Sequence, residues 1–302
     1  MLKKALLLGT LLAATSLSAM AKDVVVSSKI DTEGGLLGNI IYLALQANGV
    51  PVADRISLGG TPVVRKAITA GEIDIYPEYT GNAAFFFDKA ADDSWRDLKK
   101  GYELAKKLDY DANKIVWLAS SPANNTWAIA IRQEVAGAAK LKTMSDFGKW
   151  VAGGGKAKLI GSTEFVTSAG ALPAFQSTYG FTLKPDQLVV LSGGDTAATI
   201  KAAAEQTNGV NTAMVYGTDG AIEPAGLVVL EDDKNVQQVY APAPLVREDV
   251  LKANPKIGEI LPPIFAKLDG DTLRKLNARI QVDGEQSRAV AKAFLTANGF
   301  VK

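Results

Sequence analysis

Short runs rich in Val and Ile recur along the chain, separated by stretches whose apolar positions follow a helical period. Val24 to Ser28, Ile73 to Tyr76, Ile115 to Leu118, Trp127 to Arg132, Lys158 to Gly161, Leu188 to Leu191, Thr212 to Tyr216 and Leu227 to Leu230 read as strands. Leu37 to Ala47 and Asp93 to Leu108 read as amphipathic helices between them. Such alternation predicts an α/β fold with largely parallel sheets. From Arg247 to Asn298 the pattern becomes helical throughout, with breaks expected at Asp271 and at Asp283-Gly284.

One unit occurs twice. Gly59-Gly60-Thr61-Pro62 opens a helix, with Thr as its cap and Pro at its first position, that leads through Gly71 to a strand ending in Tyr76 and then to Thr80-Gly81. Gly193-Gly194-Asp195-Thr196 opens another, which leads through Gly209 to a strand ending in Tyr216 and then to Thr218-Asp219-Gly220. The units lie about 135 residues apart, the arrangement expected if each of two lobes contributes one. Glycine-capped βα units also recur in α/β proteins without such a correspondence. Open α/β sheets bind ligands beyond the carboxyl ends of their strands, so both tyrosines and both Gly-Gly turns would face one cleft.

The beginning of the chain departs from this pattern. Lys3-Lys4 precede an apolar run from Ala5 to about Leu17 and the small-residue motif Ala19-Met20-Ala21, the form of a secretory signal peptide cleaved after Ala21. About 13 apolar residues fall short of the roughly 20 needed to span a bilayer. The 281 residues that follow contain no second such run and are long enough for two lobes. With no cysteine there is no disulfide and no lipid-attachment site, so a freely diffusing, soluble periplasmic protein of a Gram-negative cell is expected.

Charge and missing residue types narrow the chemistry. The chain has 33 Lys and Arg against 32 Asp and Glu, and loss of Lys3 and Lys4 leaves 31 basic residues and a net charge near −1. No basic block suits nucleic acid or an anionic membrane. The absence of His and Cys removes the commonest general base, the commonest metal ligand and the thiolate nucleophile. Gly153-Gly154-Gly155-Lys156 lacks the spacing and the following Ser or Thr of a phosphate loop, and there is no GxSxG elbow. Carboxylates such as Glu78 and Asp219 can be paired on paper only. A non-enzymatic monomer with no cofactor and no metal is expected.

The aromatic residues carry more information. Tyr76 and Tyr79 lie in YPEYTG, Trp127 in PANNTWAIAIR, Tyr216 in MVYGTDG and Tyr240 in VYAPAPLVR, each at a strand end or beside Pro and Gly turns. Rings at such edges either half-bury in ordinary packing or turn a face into a cleft.

These segments, with SKIDTEGGLLGNII, GGTPVVRKAITAGEIDIYPEYTGNAAFF and GGDTAATIKAAAEQTNGVNTAMVYGTDG, closely resemble the osmoprotectant-binding proteins of ABC importers, the glycine betaine and choline type, over nearly the whole mature chain. The resemblance implies a two-lobed periplasmic binding protein of type II, hinged through two crossover segments near Ala123 to Trp127 and near Tyr216 to Gly220. Lobe 1 would comprise residues 22–122 and 220–302, and lobe 2 residues 123–219. It also implies a small zwitterionic or quaternary-ammonium ligand and an inner-membrane ABC permease as partners. The implied aromatic box is Tyr76 or Tyr79 with Trp127, Tyr216 and Tyr240, joined by the backbone carbonyl of Asn125, with Lys29 and Thr80 toward a ligand carboxylate. Thr218 and Asp219 fall beside Tyr216 in the same group of candidate ligand-binding residues.

The physics of the ligand class agrees with that assignment. A trimethylammonium group has no N–H to donate, and the negative faces of several rings hold it at roughly 0.5 to 2 kcal/mol each. Two departures from the family pattern stand out: Trp127 replaces a frequent Tyr and keeps a ring face, whereas Ser168 stands where an Arg commonly clamps the carboxylate. A sensory ligand-binding role uses the same lobes and remains the alternative to solute import. An exported hydrolase has no nucleophile or His base to work with.

Overall fold

The computed structural model describes residues 23–192 and 196–301. The leader, its cleavage site and Gly193-Gly194-Asp195 lie outside the described residues. The described chain forms two five-stranded sheets, each carried in one lobe. The strands are β1 (Val24–Lys29), β2 (Val52–Gly59), β3 (Ile75–Tyr79), β4 (Ile115–Trp117), β5 (Trp127–Arg132), β6 (Leu159–Ser162), β7 (Leu188–Leu191), β8 (Thr212–Tyr216), β9 (Leu227–Val229) and β10 (Pro242–Arg247). The first sheet runs β2-β1-β3-β10-β4 and the second β7-β6-β8-β5-β9. In both, the first three strands are parallel, and the strand that follows them, β10 or β5, runs antiparallel to its neighbours.

Strand alternation distributes the apolar residues over two faces of each sheet. In lobe 1, Ile75 and Val246 join Leu36, Ile40 and the C-terminal helices on one face, while Tyr76 and Leu245 join Trp95 and Trp117 on the other. In lobe 2, Leu159 and Met214 pack with Phe147 and Phe165, and Ile160 and Val215 with Ile200 and Ala203. Burial on both faces explains why these strands read as continuous Val- and Ile-rich runs rather than as alternating patterns.

Two strands were not expected. β2 is an edge strand of mixed polarity, VADRISLG, with four exposed residues. In β10, Pro242 and Pro244 interrupt the β-branched pattern, yet Pro244 sits opposite Pro77, so two residues without N–H groups face each other. Two helix starts also differ by one or two residues from the expected ones. Gly60 rather than Thr61 caps the helix Thr61–Thr69, and Asp269 rather than Asp271 caps Gly270–Gln281 by accepting from the Thr272 N–H. Gly153 caps the helix Met144–Ala152, which accounts for the start of the glycine run there.

The expected lobe boundary at residue 220 needs correction. After β8 the chain touches lobe 1, where Gly220 approaches the helix Gly270–Gln281 so closely that a Cβ would lie 2.1 Å from the Ala278 nitrogen. It then returns to lobe 2, because Leu227–Val229 pairs with β5. Leu230 and Val236 belong to the lobe 2 core. The second crossover therefore runs from about Val236 to Ala241, and the first joins β4 to β5 through residues 118–126. The two meet where Asn125 N–H donates to the Tyr240 carbonyl (3.0 Å) and Tyr240 N–H to Asn124 Oδ1 (2.8 Å).

Candidate functional site

A cleft of about 980 Å³ lies between the lobes beside both crossovers. Nine of the eleven expected ligand-binding residues line it: Lys29, Tyr79, Asn125, Trp127, Ser168, Tyr216, Thr218, Asp219 and Tyr240. Tyr76 and Thr80 do not.

Tyr76 is excluded by strand parity. It follows Ile75 onto the opposite face of β3, where it is fully buried with Trp95 and Trp117 and its hydroxyl donates to Glu78 Oε2 at 3.0 Å. Tyr79, the last residue of β3, emerges at the carboxyl edge and corresponds in place to Tyr216, the last residue of β8. Thr80 is a structural tie. Its hydroxyl donates to the Val239 carbonyl (2.8 Å) and accepts from Ala241 N–H (3.0 Å), fastening the end of β3 to the second crossover.

The lobe 2 wall is aromatic. Trp127 and Tyr216 are directly opposed across the antiparallel β5–β8 pair, which puts both rings on one face. Their centroids are 6.5 Å apart with planes inclined by 18°, and the edge of Trp127 is fixed by a perpendicular contact with Phe165 at 5.9 Å. Asp219 turns back to accept from Tyr216 N–H at 2.8 Å, closing the turn after β8. Ser168 follows the short helix Thr163–Thr167 and contributes a small uncharged side chain to this wall.

From the second crossover, Tyr240 lays its ring against Gly81, where a Cβ would stand 2.7 Å from Cε1 and Cζ of the ring. Only glycine permits that approach. Burial pushes the Tyr240 phenol up to about 12, with Tyr216 and Glu164 adding to the effect. Burial likewise raises the Tyr216 and Tyr79 phenols. All three rings therefore stay neutral at physiological pH.

The lobe 1 wall is built around two buried carboxylates. Glu78 is ion-paired with Lys29 and also accepts from Tyr79 N–H (2.8 Å), Asn82 Nδ2 (2.7 Å) and the Tyr76 hydroxyl. Lys29 Nζ stands 4.5 Å from the Tyr79 ring centroid, so the protein's own ammonium occupies one face of that ring. Glu33 accepts from the Tyr79 hydroxyl (2.8 Å), Asn125 Nδ2 (3.1 Å) and Asn277 Nδ2 (2.7 Å). A hydrogen bond from Thr218 brings the segment after β8 to the same carboxylate. Burial is the main cause raising the Glu33 carboxyl above its ordinary range, opposed by these donors.

Several lining residues were not anticipated. Asp31, Glu33 and Glu164 add acidic groups, Asn82 and Asn277 add amides, and Arg96 adds a guanidinium. Position after β3 was the available signal for Asn82. For Glu33 it was the acidic first turn of the helix Thr32–Ala47, and Arg96 carried no sequence signal. Among the described residues of the lining, four acids (Asp31, Glu33, Glu164 and Asp219) face two cations, Lys29 and Arg96. Aromatic faces with an acidic excess suit a cationic group that cannot donate hydrogen bonds. No cluster of three or more metal-ligating side chains occurs among the described residues, and no helix there is long and apolar enough to cross a membrane.

Comparison with known proteins agrees with this geometry. A family model described as the substrate binding domain of ABC-type glycine betaine transport systems matches residues 22–297. The chain is 54% identical to the glycine betaine-binding protein YehZ of Escherichia coli K12, over 97% of this chain and 96% of that one. It is 30% identical to a glycine-betaine-binding protein of Pseudomonas aeruginosa, over 92% and 88%. The solved structure of apo YehZ from Escherichia coli superposes with a TM-score of 0.88, covering 93% of this chain and all of the other.

Proposed function

Because the chain belongs to the substrate-binding domains of ABC-type glycine betaine transport systems, we propose that its cleft holds a quaternary ammonium between Tyr79, Trp127, Tyr216 and Tyr240. It is the substrate-binding component of an osmoprotectant import system. The observation that carries the site assignment is the cross-strand pair Trp127–Tyr216, stacked and facing a cleft that Tyr79 and Tyr240 also line. Asn125, in the first crossover, lines the cleft and its side chain donates to Glu33, which supports a contact from its backbone carbonyl to the cation.

Glycine betaine is the ligand named for the two relatives, and choline shares its head group. Micromolar affinity corresponds to roughly 8 kcal/mol. Four rings at roughly 0.5 to 2 kcal/mol each supply about half of that. The remainder falls to the carboxylate, where Lys29 is already matched by Glu78 and Ser168 brings no charge. On Lys29 and Ser168 alone glycine betaine would gain little over choline, so tight binding of glycine betaine requires a further cation at the carboxylate end of the cleft. Calorimetry against glycine betaine, choline and proline betaine tests this reading. Binding of at least one of them supports it, and absence of heat with all three refutes it.

The ligand is delivered by closure of the lobes to an inner-membrane permease, and the protein works as a monomer that catalyses no reaction and binds no nucleic acid. Export to the periplasm with cleavage after Ala21 leaves Lys22 as the first residue, which intact mass of the periplasmic protein checks. A retained leader in the membrane fraction would refute it.

A further inference from the structure

The cleft offers two cations to a ligand carboxylate, and they are not equivalent. Lys29 is buried, ion-paired with the fully buried Glu78, and stacked on Tyr79, so the pair has no net charge to offer. Arg96 ends a single 3₁₀ turn, Asp93–Arg96, in lobe 1. It is half exposed, and its carboxylate partner is Asp93, which is 87% exposed. An exposed pair three residues apart contributes little and exchanges readily.

The position of Arg96 also fits. Its Nε donates to the Val236 carbonyl at 3.2 Å, at the start of the second crossover. The next residue, Gln237, donates through Nε2 to the Gly170 carbonyl (2.8 Å), and Ala171 N–H donates to the Ser168 carbonyl (3.0 Å). A short chain of contacts thus links Arg96 to the segment of lobe 2 that contains Ser168. Trp95 holds the same crossover from the other side by accepting from Val239 N–H at 2.7 Å, which anchors the turn that carries Arg96.

We propose that Arg96 is the carboxylate-recognising cation of this cleft, reaching from lobe 1 to the ligand end that Ser168 leaves uncharged. The inference rests on the quaternary-ammonium reading and deepens it. It makes Arg96 a determinant of selectivity between zwitterionic ligands and purely cationic ones. A guanidinium suits the task because its planar fork matches both carboxylate oxygens, and its remaining edge is free to keep the Val236 contact.

Calorimetric titration of glycine betaine and choline into wild type, Arg96→Gln, Arg96→Lys and the double variant Arg96→Gln with Ser168→Arg tests it. Arg96→Gln is expected to weaken glycine betaine by about tenfold or more and choline by less than about twofold, since a charged hydrogen bond to the carboxylate is lost. Arg96→Lys should fall between, and Ser168→Arg should restore glycine betaine binding in the Arg96→Gln background. Equal weakening of both ligands would show that Arg96 acts by positioning the crossover through Val236, and would overturn the proposal. Unchanged glycine betaine affinity in Arg96→Gln would overturn it as well. A wild type that binds neither ligand would defeat the quaternary-ammonium reading itself, and this inference with it.

Discussion

The two walls of the cleft are built on different principles. Lobe 2 presents the Trp127–Tyr216 pair and the small Ser168 from a β-sheet edge, whereas lobe 1 presents Tyr79 between two buried carboxylates, Glu78 paired with Lys29 and Asn82, and Glu33 held by Asn277. The buried part of the lobe 1 wall is therefore organised before any ligand arrives, with Lys29 already matched by Glu78. The lobe 2 rings stack on each other, and among the described residues no Lys or Arg stands over either of them. The contrast teaches that the cation should draw most of its affinity from lobe 2, while lobe 1 sets orientation and shape.

Removing lobe 2 rings should break the comparison most visibly. Trp127→Ala takes away one cation–π face and the stacking partner of Tyr216, a loss of roughly 2 to 3 kcal/mol or about a hundredfold in affinity. Thermal stability should fall only modestly, through the lost contact with Phe165. A large drop in melting temperature with unchanged affinity would make this ring core packing. Tyr216→Phe should be mild, because the ring face survives.

Adding charge to the same wall comes next. Ser168→Arg should tighten glycine betaine by about tenfold and choline far less, since one charged hydrogen bond is gained by a carboxylate alone. Unchanged glycine betaine affinity in Ser168→Arg would show that this position does not reach the ligand carboxylate. A smaller effect is expected where the crossover meets lobe 1. Gly81→Ala places a methyl 2.7 Å from Tyr240 ring atoms and should displace that ring, weakening all quaternary ammonium ligands by a few-fold, measured by titration.

The smallest effect concerns Glu33, a buried lobe 1 carboxylate held by the neutral donors Tyr79, Asn125 and Asn277. Burial raises the Glu33 carboxyl in the folded protein, so the fold binds its proton more tightly than the unfolded chain does. That contribution to stability is fully present below the ordinary value of 4.5 and is lost as pH rises through the folded value. Melting curves of wild type and Glu33→Gln should therefore diverge as pH rises from below 4.5, with the wild type losing ground. A constant difference would show that Glu33 does not titrate in this way.

Much of this organisation was legible in the sequence, and the exceptions have physical causes. Strand ends beside Pro and Gly turns marked Trp127 and Tyr216 as rings near a sheet edge, while it was the family resemblance that assigned them to a box, and both line the cleft. Tyr76 and Tyr79 could not be separated by composition, since the parity of β3 depends on where the strand begins to pair. β2 was hidden by its polar edge position and β10 by its prolines. The turn after Tyr216 resembled an exit from lobe 2, because the sequence marks Leu227 to Leu230 as a strand but not β5 as its partner. Arg96 sits in DDSWRD, a charged segment like any solvated surface, and only the packing of Trp95 under the second crossover brings it to the cleft.

The central claim is that methylated nitrogen is recognised by ring faces, and glycine against glycine betaine tests it most directly. The two share a carboxylate and a net charge and differ in the three methyl groups on nitrogen. Glycine carries a strongly hydrated ammonium that rings replace poorly, so calorimetric titration of the wild type should show glycine betaine binding at least about a hundredfold tighter. Glycine binding as tightly as glycine betaine would contradict the account.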